Sequence, residues 1–252
     1  MLKHLQKLNR LRYYYAQAFT RAGEYELRIM RDLVPKNCLA IDIGANSGIY
    51  SFHMSRFASS VLAFEPNPEY HDKLRSIGKK VQLQTFALSD VYEKTILRIP
   101  KTAWGAGHGL GTLEQVEGEI SQEVTVEAKT LDQLDLSPGF IKIDVEGHEM
   151  RVIRGATATL LRSRPNVLVE CEERHNVNAT RDLNKTMEGL GYNGGFFHNR
   201  KFSDIANFDP LVFQDETKLV LDSSVPRQDM DYVNNFIFIP AERSEDTFGK
   251  WR

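Results

Sequence analysis

Short, largely apolar runs that stop at a polar residue set the pattern of this chain. Leu39 to Ile43, Val61 to Phe64, Val81 to Leu88, Phe140 to Val145 and Asn166 to Val169 read as strands. Between them, Ile49 to Phe57, Pro68 to Ile77, Glu149 to Leu161 and Asp182 to Leu190 carry the mixed spacing of helices that cover a core on one side. Strand and helix in alternation predict a doubly wound, mostly parallel sheet with helices on both faces. Gly191-Tyr192 to Phe197 and Phe236 to Ile239 supply two final strands. Lys94 to Ile99 and Glu123 to Ala128 instead alternate apolar with polar, the mark of a half-buried antiparallel pair. At the start, Leu2, Leu5, Leu8, Leu11 and Tyr15 recur at near-helical spacing, and Pro35 breaks the chain before the first strand.

The first strand runs directly into Gly44-Ala45-Asn46-Ser47-Gly48. A glycine at the carboxyl end of a strand permits a sharp bend with bare backbone against a ligand, and the helix that follows aims unpaired N–H groups the same way. Asp42, just before the bend, could accept hydrogen bonds from an ammonium group or from nearby backbone. The second strand ends at Glu65-Pro66-Asn67, and Glu65 falls about twenty residues past the turn, where nucleotide folds place the acid that binds ribose hydroxyls. The glycine spacing departs from the dinucleotide G-x-G-x-x-G pattern, whose middle glycine makes room for a pyrophosphate. A cofactor with a ribose and no phosphate fits better, and S-adenosylmethionine (SAM) is one.

Composition narrows the picture. At 252 residues with 41% hydrophobic content, the chain can fill one large core, and it reads as a single domain with insertions. The domain spans 35–252, with insertions at 91–130 and 198–232, behind an N-terminal helical cap at 1–34. A formal charge of -2 supplies no bulk field for nucleic acid. Cys38 and Cys171 lack metal-site spacing and read as buried reduced thiols. No apolar run approaches the about eighteen residues of a membrane span, so a cytoplasmic protein is expected. The basic N-terminal residues Lys3, Lys7, Arg10, Arg12, Arg21, Arg28 and Arg31 leave two readings of the first helix open. It covers the core or a second copy in a homodimer, or it makes weak peripheral contact with an anionic membrane.

Asp42, Glu65, Ser89, Asp144 and Glu170 stand at five strand ends, which an open parallel sheet gathers on one rim near the point where strand order reverses. Asp144-Val145-Glu146-Gly147-His148-Glu149 is the leading catalytic segment. A hydroxyl nucleophile benefits from a base, a role open to Asp144 or to His148. Glu146 and Glu170 complete the candidate catalytic set. A divalent cation on Asp144, Glu170 and Glu172 is a further option, and a metal-free site is preferred. Trp104-Gly105-Ala106-Gly107-His108-Gly109-Leu110-Gly111-Thr112 reads equally as a lid over substrate or as a hairpin tip.

Taken in order, Ile41 to Gly48, Phe64-Glu65-Pro66-Asn67, Ala87-Leu88-Ser89-Asp90, Thr130-Leu131-Asp132 and Ile141 to Glu149 resemble the FkbM family of SAM-dependent methyltransferases. The resemblance covers roughly Cys38 to Glu172. It implies a Rossmann-like class I methyltransferase fold, with a mostly parallel seven-stranded sheet, an antiparallel last strand and a β-hairpin insertion. It assigns the methionine end of SAM to Asp42, Gly44, Asn46 and Gly48 and the ribose to Glu65, with Asn67, Ser89 and Asp90 near the adenosine. The implied reaction is O-methylation of hydroxyl groups on sugars or polyketide-type products. A glycan hydroxyl, as on a surface polysaccharide or glycolipid precursor, is the first expectation, and a small secondary metabolite is the alternative. A nicotinamide oxidoreductase and a SAM-binding scaffold without activity stay open from other classes.

Overall fold

The computed structural model describes residues 2–20, 23–102, 105–106, 111–115, 120–218 and 231–252. Its strands are β1 (Leu39–Ile43), β2 (Ser60–Phe64), β3 (Val81–Gln84), β4 (Ala87–Leu88), β5 (Glu93–Thr102), β6 (Gly105–Ala106), β7 (Ile120–Lys129), β8 (Pro138–Ile143), β9 (Asn166–Glu170), β10 (Tyr192–His198), β11 (Lys201–Asp204) and β12 (Asn235–Pro240). The helices are α1 (Leu2–Phe19), α2 (Met30–Leu33), α3 (Ile49–Met54), α4 (His71–Arg75), α5 (Glu149–Arg154), α6 (Thr157–Ser163), α7 (Ala179–Gly189), α8 (Pro210–Phe213) and α9 (Ala241–Phe248).

The main sheet has the order β11-β10-β12-β9-β8-β1-β2-β3. β3, β2, β1, β8 and β9 pair in parallel, while β12 runs antiparallel to both β9 and β10. Near-continuous burial of β1, β8, β9 and β12 follows from cover on both faces. Alternate residues feed two cores: Ala40, Phe140 and Leu168 enter one with Tyr14 and Phe52, and Ile41, Ile141 and Val167 enter the other with Val152 and Leu160. Strand order reverses between β1 and β8, so the rim above that pair is where the topology opens a crevice.

The expected alternating pair is present as β5 and β7, in antiparallel register from Glu93 opposite Ala128 to Pro100 opposite Ile120. Three details differ from the expectations. The large sheet has eight strands, because a hairpin after β10 adds β11 as an edge inside the segment read as insertion 198–232. The run Val81 to Leu88 divides, and its last two residues leave the main sheet to pair in parallel with β7. The helix after Glu149 divides into α5 and α6 around Gly155, where an added Cβ would lie 1.9 Å from the Ser89 carbonyl oxygen.

Helix α1 lies against α3. Tyr14 is buried, with its ring 5.4 Å from Phe52, and its hydroxyl donates to the Ser47 carbonyl in the glycine turn. Tyr13 and Phe19 on the same helix stay exposed. Among the described residues, no helix is long and apolar enough to cross a membrane. Cys38 and Cys171 are free thiols, the first half-buried and the second buried. Of the glycine segment, Trp104, Gly107, His108, Gly109 and Leu110 lie outside the described residues, as do 219–227 of the long polar segment.

Candidate active site

The glycine turn after β1 forms one wall of a cleft of about 610 Å³. Gly44 sits at φ +76°, and a Cβ there would lie 1.7 Å from the Asp144 carbonyl oxygen. The turn therefore needs glycine on two counts, its left-handed backbone and the approach of the loop after β8. Gly48, at φ +88°, precedes α3, and its missing side chain makes room for Ile77 and Leu74. Its role in the structure is to let the start of α3 pack closely against α4 and Ile77.

Glu65 reaches back across the cleft floor. Its Oε2 accepts from the Asn46 N–H at 2.7 Å and its Oε1 from the Asn67 N–H at 2.8 Å. Burial pushes its carboxyl up to about 7, against the pull of those two N–H donors. Asn67 is buried, with Oδ1 accepting from the Glu69 N–H while Nδ2 has no partner among the described residues. An unpaired amide donor on a cleft wall is costly unless a ligand accepts from it. Phe64, Leu88, Leu97, Leu113 and Val145 line the same cleft with apolar surface, as a flat heterocycle requires. Carboxylate, spare amide and apolar slot fit an adenosine.

The second wall comes from the end of β8. Asp144 is partly exposed there, and its Oδ2 accepts from Lys142 Nζ at 2.6 Å. Lys142 is buried next to the last residue of β8. Burial alone would lower its ammonium pKa, but the carboxylates of Asp144, Asp42 and Glu170 outweigh that and raise it. The ammonium also lies over the Tyr50 ring at 4.5 Å, and the Tyr50 hydroxyl donates to Glu24. Asp42 lies on this buried side of the strand, fully enclosed and outside the cleft lining. Ser51 Oγ donates to its Oδ2 at 2.6 Å, and burial raises its pKa.

His148 is buried, and both ring nitrogens are engaged. Nδ1 lies 2.6 Å from Glu114 Oε1 and Nε2 lies 2.9 Å from Ser89 Oγ. Burial lowers its pKa, which favours the neutral ring. In this arrangement the imidazole fastens residues 112–114 to the rim. Ser89 is consumed by that contact, and Asp90 by ion pairs to Arg151 at 2.8 Å and Arg154 at 3.2 Å. The Ser89-Asp90 turn thus anchors α5 to β4 rather than lining the cleft.

Glu146, at φ +51°, faces His175 Nε2 at 3.0 Å, and burial raises its pKa. Glu170 accepts from Asn234 Nδ2 at 2.6 Å, and burial pushes its carboxyl well up. The three carboxylates weighed for a divalent cation separate into different contacts. Asp144 pairs with Lys142, Glu170 with Asn234, and Glu172 accepts two bonds from Arg174 at 2.8 Å. A different trio, Glu146, Glu172 and His175, offers donor atoms within 4.8 Å of one another, and the Arg174 guanidinium already supplies positive charge there.

The structure therefore brings Gly44, Asn46, Glu65, Asn67, Asp144, Glu146 and His148 onto one cleft. It sets Asp42, Gly48, Ser89, Asp90 and Glu170 behind or beside it. Lys142, Tyr50 and Glu24 did not figure among the expected site residues. Lys142 carried a signal, since a lysine between Ile141 and Ile143 in a buried strand demands partners, and Asp144 two residues on shares its face.

The chain is 30% identical over 149 residues to the hexuronic acid methyltransferase AglP of Haloferax volcanii, covering 55% of this chain and 58% of that protein. Its fold is similar to the crystal structure of methyltransferase FkbM from Methylobacillus flagellatus KT, with a TM-score of 0.51 and 14% identity over 81% of this chain and 43% of that one. The chain thus spans less than two thirds of the length of either. The model of the methyltransferase FkbM domain matches residues 42–193, more than half the chain, so the chain belongs to the FkbM methyltransferase family.

Proposed function

We propose that this chain is a SAM-dependent O-methyltransferase whose acceptor is a hydroxyl of a sugar or glycan. The proposed catalytic domain is 35–252, with residues 1–34 as its helical cap. The observation that carries the reading is the meeting, on one rim, of the Glu65–Asn67 cleft and the Lys142–Asp144 pair. When bound, SAM supplies an electrophilic methyl carbon and departs as S-adenosylhomocysteine.

The chain's own residues divide the remaining work. Glu65 would accept from the ribose hydroxyls through the lone pairs left free by the Asn46 and Asn67 N–H groups. Asn67 Nδ2 would donate to the nucleoside, and the apolar walls would exclude water from it. Asp144, held in one orientation by Lys142, would accept the hydroxyl proton as the acceptor oxygen forms its new bond to carbon. The sugar relative at 30% identity supports the acceptor class.

Calorimetric titration with S-adenosylhomocysteine, with NAD as control, tests the cofactor. Micromolar binding of the first alone is expected, and Glu65→Ala should weaken it by about tenfold or more, since the variant removes a charged hydrogen-bond acceptor. Binding of NAD instead would turn the reading to an oxidoreductase, and undiminished affinity in Glu65→Ala would move the ribose elsewhere.

A further inference from the structure

Helix α1 buries one face and leaves another bare. Tyr14 and Ala18 turn into the core, whereas Arg12, Tyr15 and Phe19, spaced three and four residues apart, share a face that meets solvent. Tyr15 is 43% exposed and Phe19 is 70% exposed, with their rings stacked at 6.5 Å. A single exposed aromatic needs no explanation, but two stacked along a helix edge beside an open groove mark a contact surface.

The groove, of about 720 Å³, lies between the end of α1, the segment around α2 and the turn after α3. Phe19, Leu27 and Phe57 give it apolar surface, and three exposed arginines, Arg28, Arg31 and Arg56, line it with them. No acidic residue is among its described lining residues. Arg28 spends part of its guanidinium on the Phe19 and Thr20 carbonyls, at 3.4 and 3.2 Å. Arg56 lies 5.3 Å from the centre of the Tyr15 ring and 5.5 Å from that of Phe57. Among the described contacts, neither these three arginines nor Arg12 meets a carboxylate. Guanidinium forks match phosphate oxygens, and aromatic rings settle where headgroups give way to acyl chains.

We propose that this face of α1, with the groove beside it, docks on an anionic phospholipid surface, the four arginines on phosphates and Tyr15 and Phe19 at the acyl boundary. A second copy of the chain suits the face less well. A two-fold contact would set arginines against arginines, with no carboxylate in the groove to meet them. The formal charge of -2 gives the chain no bulk attraction to an anionic bilayer, so the affinity has to come from this patch. The contact is independent of the chemistry in the Glu65–Asn67 cleft.

The test is cosedimentation of the full chain with phosphatidylcholine vesicles and with vesicles in which about one third of the lipid is phosphatidylglycerol. At low salt the anionic vesicles should bind at least about tenfold more strongly than the neutral ones, with a steep loss as sodium chloride is raised. Arg31→Gln and Arg56→Gln should each weaken that binding by about fivefold, and Phe19→Ser by about tenfold. Arg181→Gln, which removes the same charge from exposed α7, should change it by less than about twofold. Unchanged circular dichroism and unfolding midpoints should report intact folds, since each replaced side chain is exposed. Absence of binding to the anionic vesicles, equal binding to both kinds, or patch variants no weaker than Arg181→Gln would overturn the docking surface. So would a dimer in light scattering that Phe19→Ser dissolves, a preference for RNA over the vesicles, or full displacement by millimolar inorganic phosphate at constant ionic strength, the mark of a small-anion site.

Discussion

Gly44→Ala is the substitution whose cost can be worked most directly from the structure. Two penalties combine. The backbone at φ +76° disfavours any L side chain by about 1 to 2 kcal/mol. The new methyl would begin 1.7 Å from the Asp144 carbonyl oxygen, so that main chain must retreat by more than about 1 Å before an ordinary contact is reached. We expect a total loss of about 3 kcal/mol or more in urea unfolding followed by circular dichroism. A displacement of this size at Asp144 should also lower methyl transfer by about a hundredfold, because reacting groups tolerate little misplacement. Gly78→Ala serves as control, since an added methyl there would meet nothing within 4 Å and its φ is ordinary. It should be neutral or stabilising by up to about 1 kcal/mol. A Gly44→Ala protein as stable as wild type to within about 0.5 kcal/mol, with unchanged affinity for S-adenosylhomocysteine, would refute the argument that the two loops meet here.

Two further outcomes follow from the buried charges. Lys142→Met removes the cation beside Asp42, Asp144 and Glu170, and should destabilise by about 3 to 5 kcal/mol in the same unfolding assay; a neutral result would mean that this buried site needs no balancing cation. Glu26→Gln addresses pH. Burial, with the Glu24 charge, pushes the Glu26 carboxyl up to about 8 from an ordinary 4.5, so the folded chain keeps a proton that the unfolded chain releases. Stability therefore falls as pH rises from about 4.5 through about 8, and the variant should flatten part of that fall, by no more than about 5 kcal/mol at its upper end. Parallel curves for wild type and variant would place the Glu26 carboxyl in water.

Much of the rim was legible because its signals are local. A strand, a glycine turn and an acid about twenty residues later can be read without knowing which strands touch. Edge strand β11 was not legible, since its turn places Asn199 and Arg200 both at positive φ, and arginine there lacks the Asn-Gly signature of a two-residue hairpin. The division of Val81 to Leu88 was equally hidden, because apolar character marks a strand without naming its partner. His148 shows the same limit at the site. Its type suits a base, but Glu114 and Ser89, which occupy its two nitrogens, lie 34 and 59 residues away in sequence. Segments 1–34 and 198–232 line a further cleft together, and neither carries a motif that would join them before the fold does.

The Glu65 carboxyl has a consequence for how cofactor affinity is measured. Near neutral pH the free protein holds it partly protonated, with Asp42 and Asp144 among the charges that keep it so. In the proposed site, a ribose diol donating to both oxygens would favour the ionised form, and cofactor uptake would then expel a fraction of a proton into the solvent. The heat of binding then includes the buffer's own ionisation heat. Titrations in phosphate and in Tris would then report different enthalpies for one and the same affinity, and the difference would count the net protons released on binding; its loss in Glu65→Gln would assign them to Glu65.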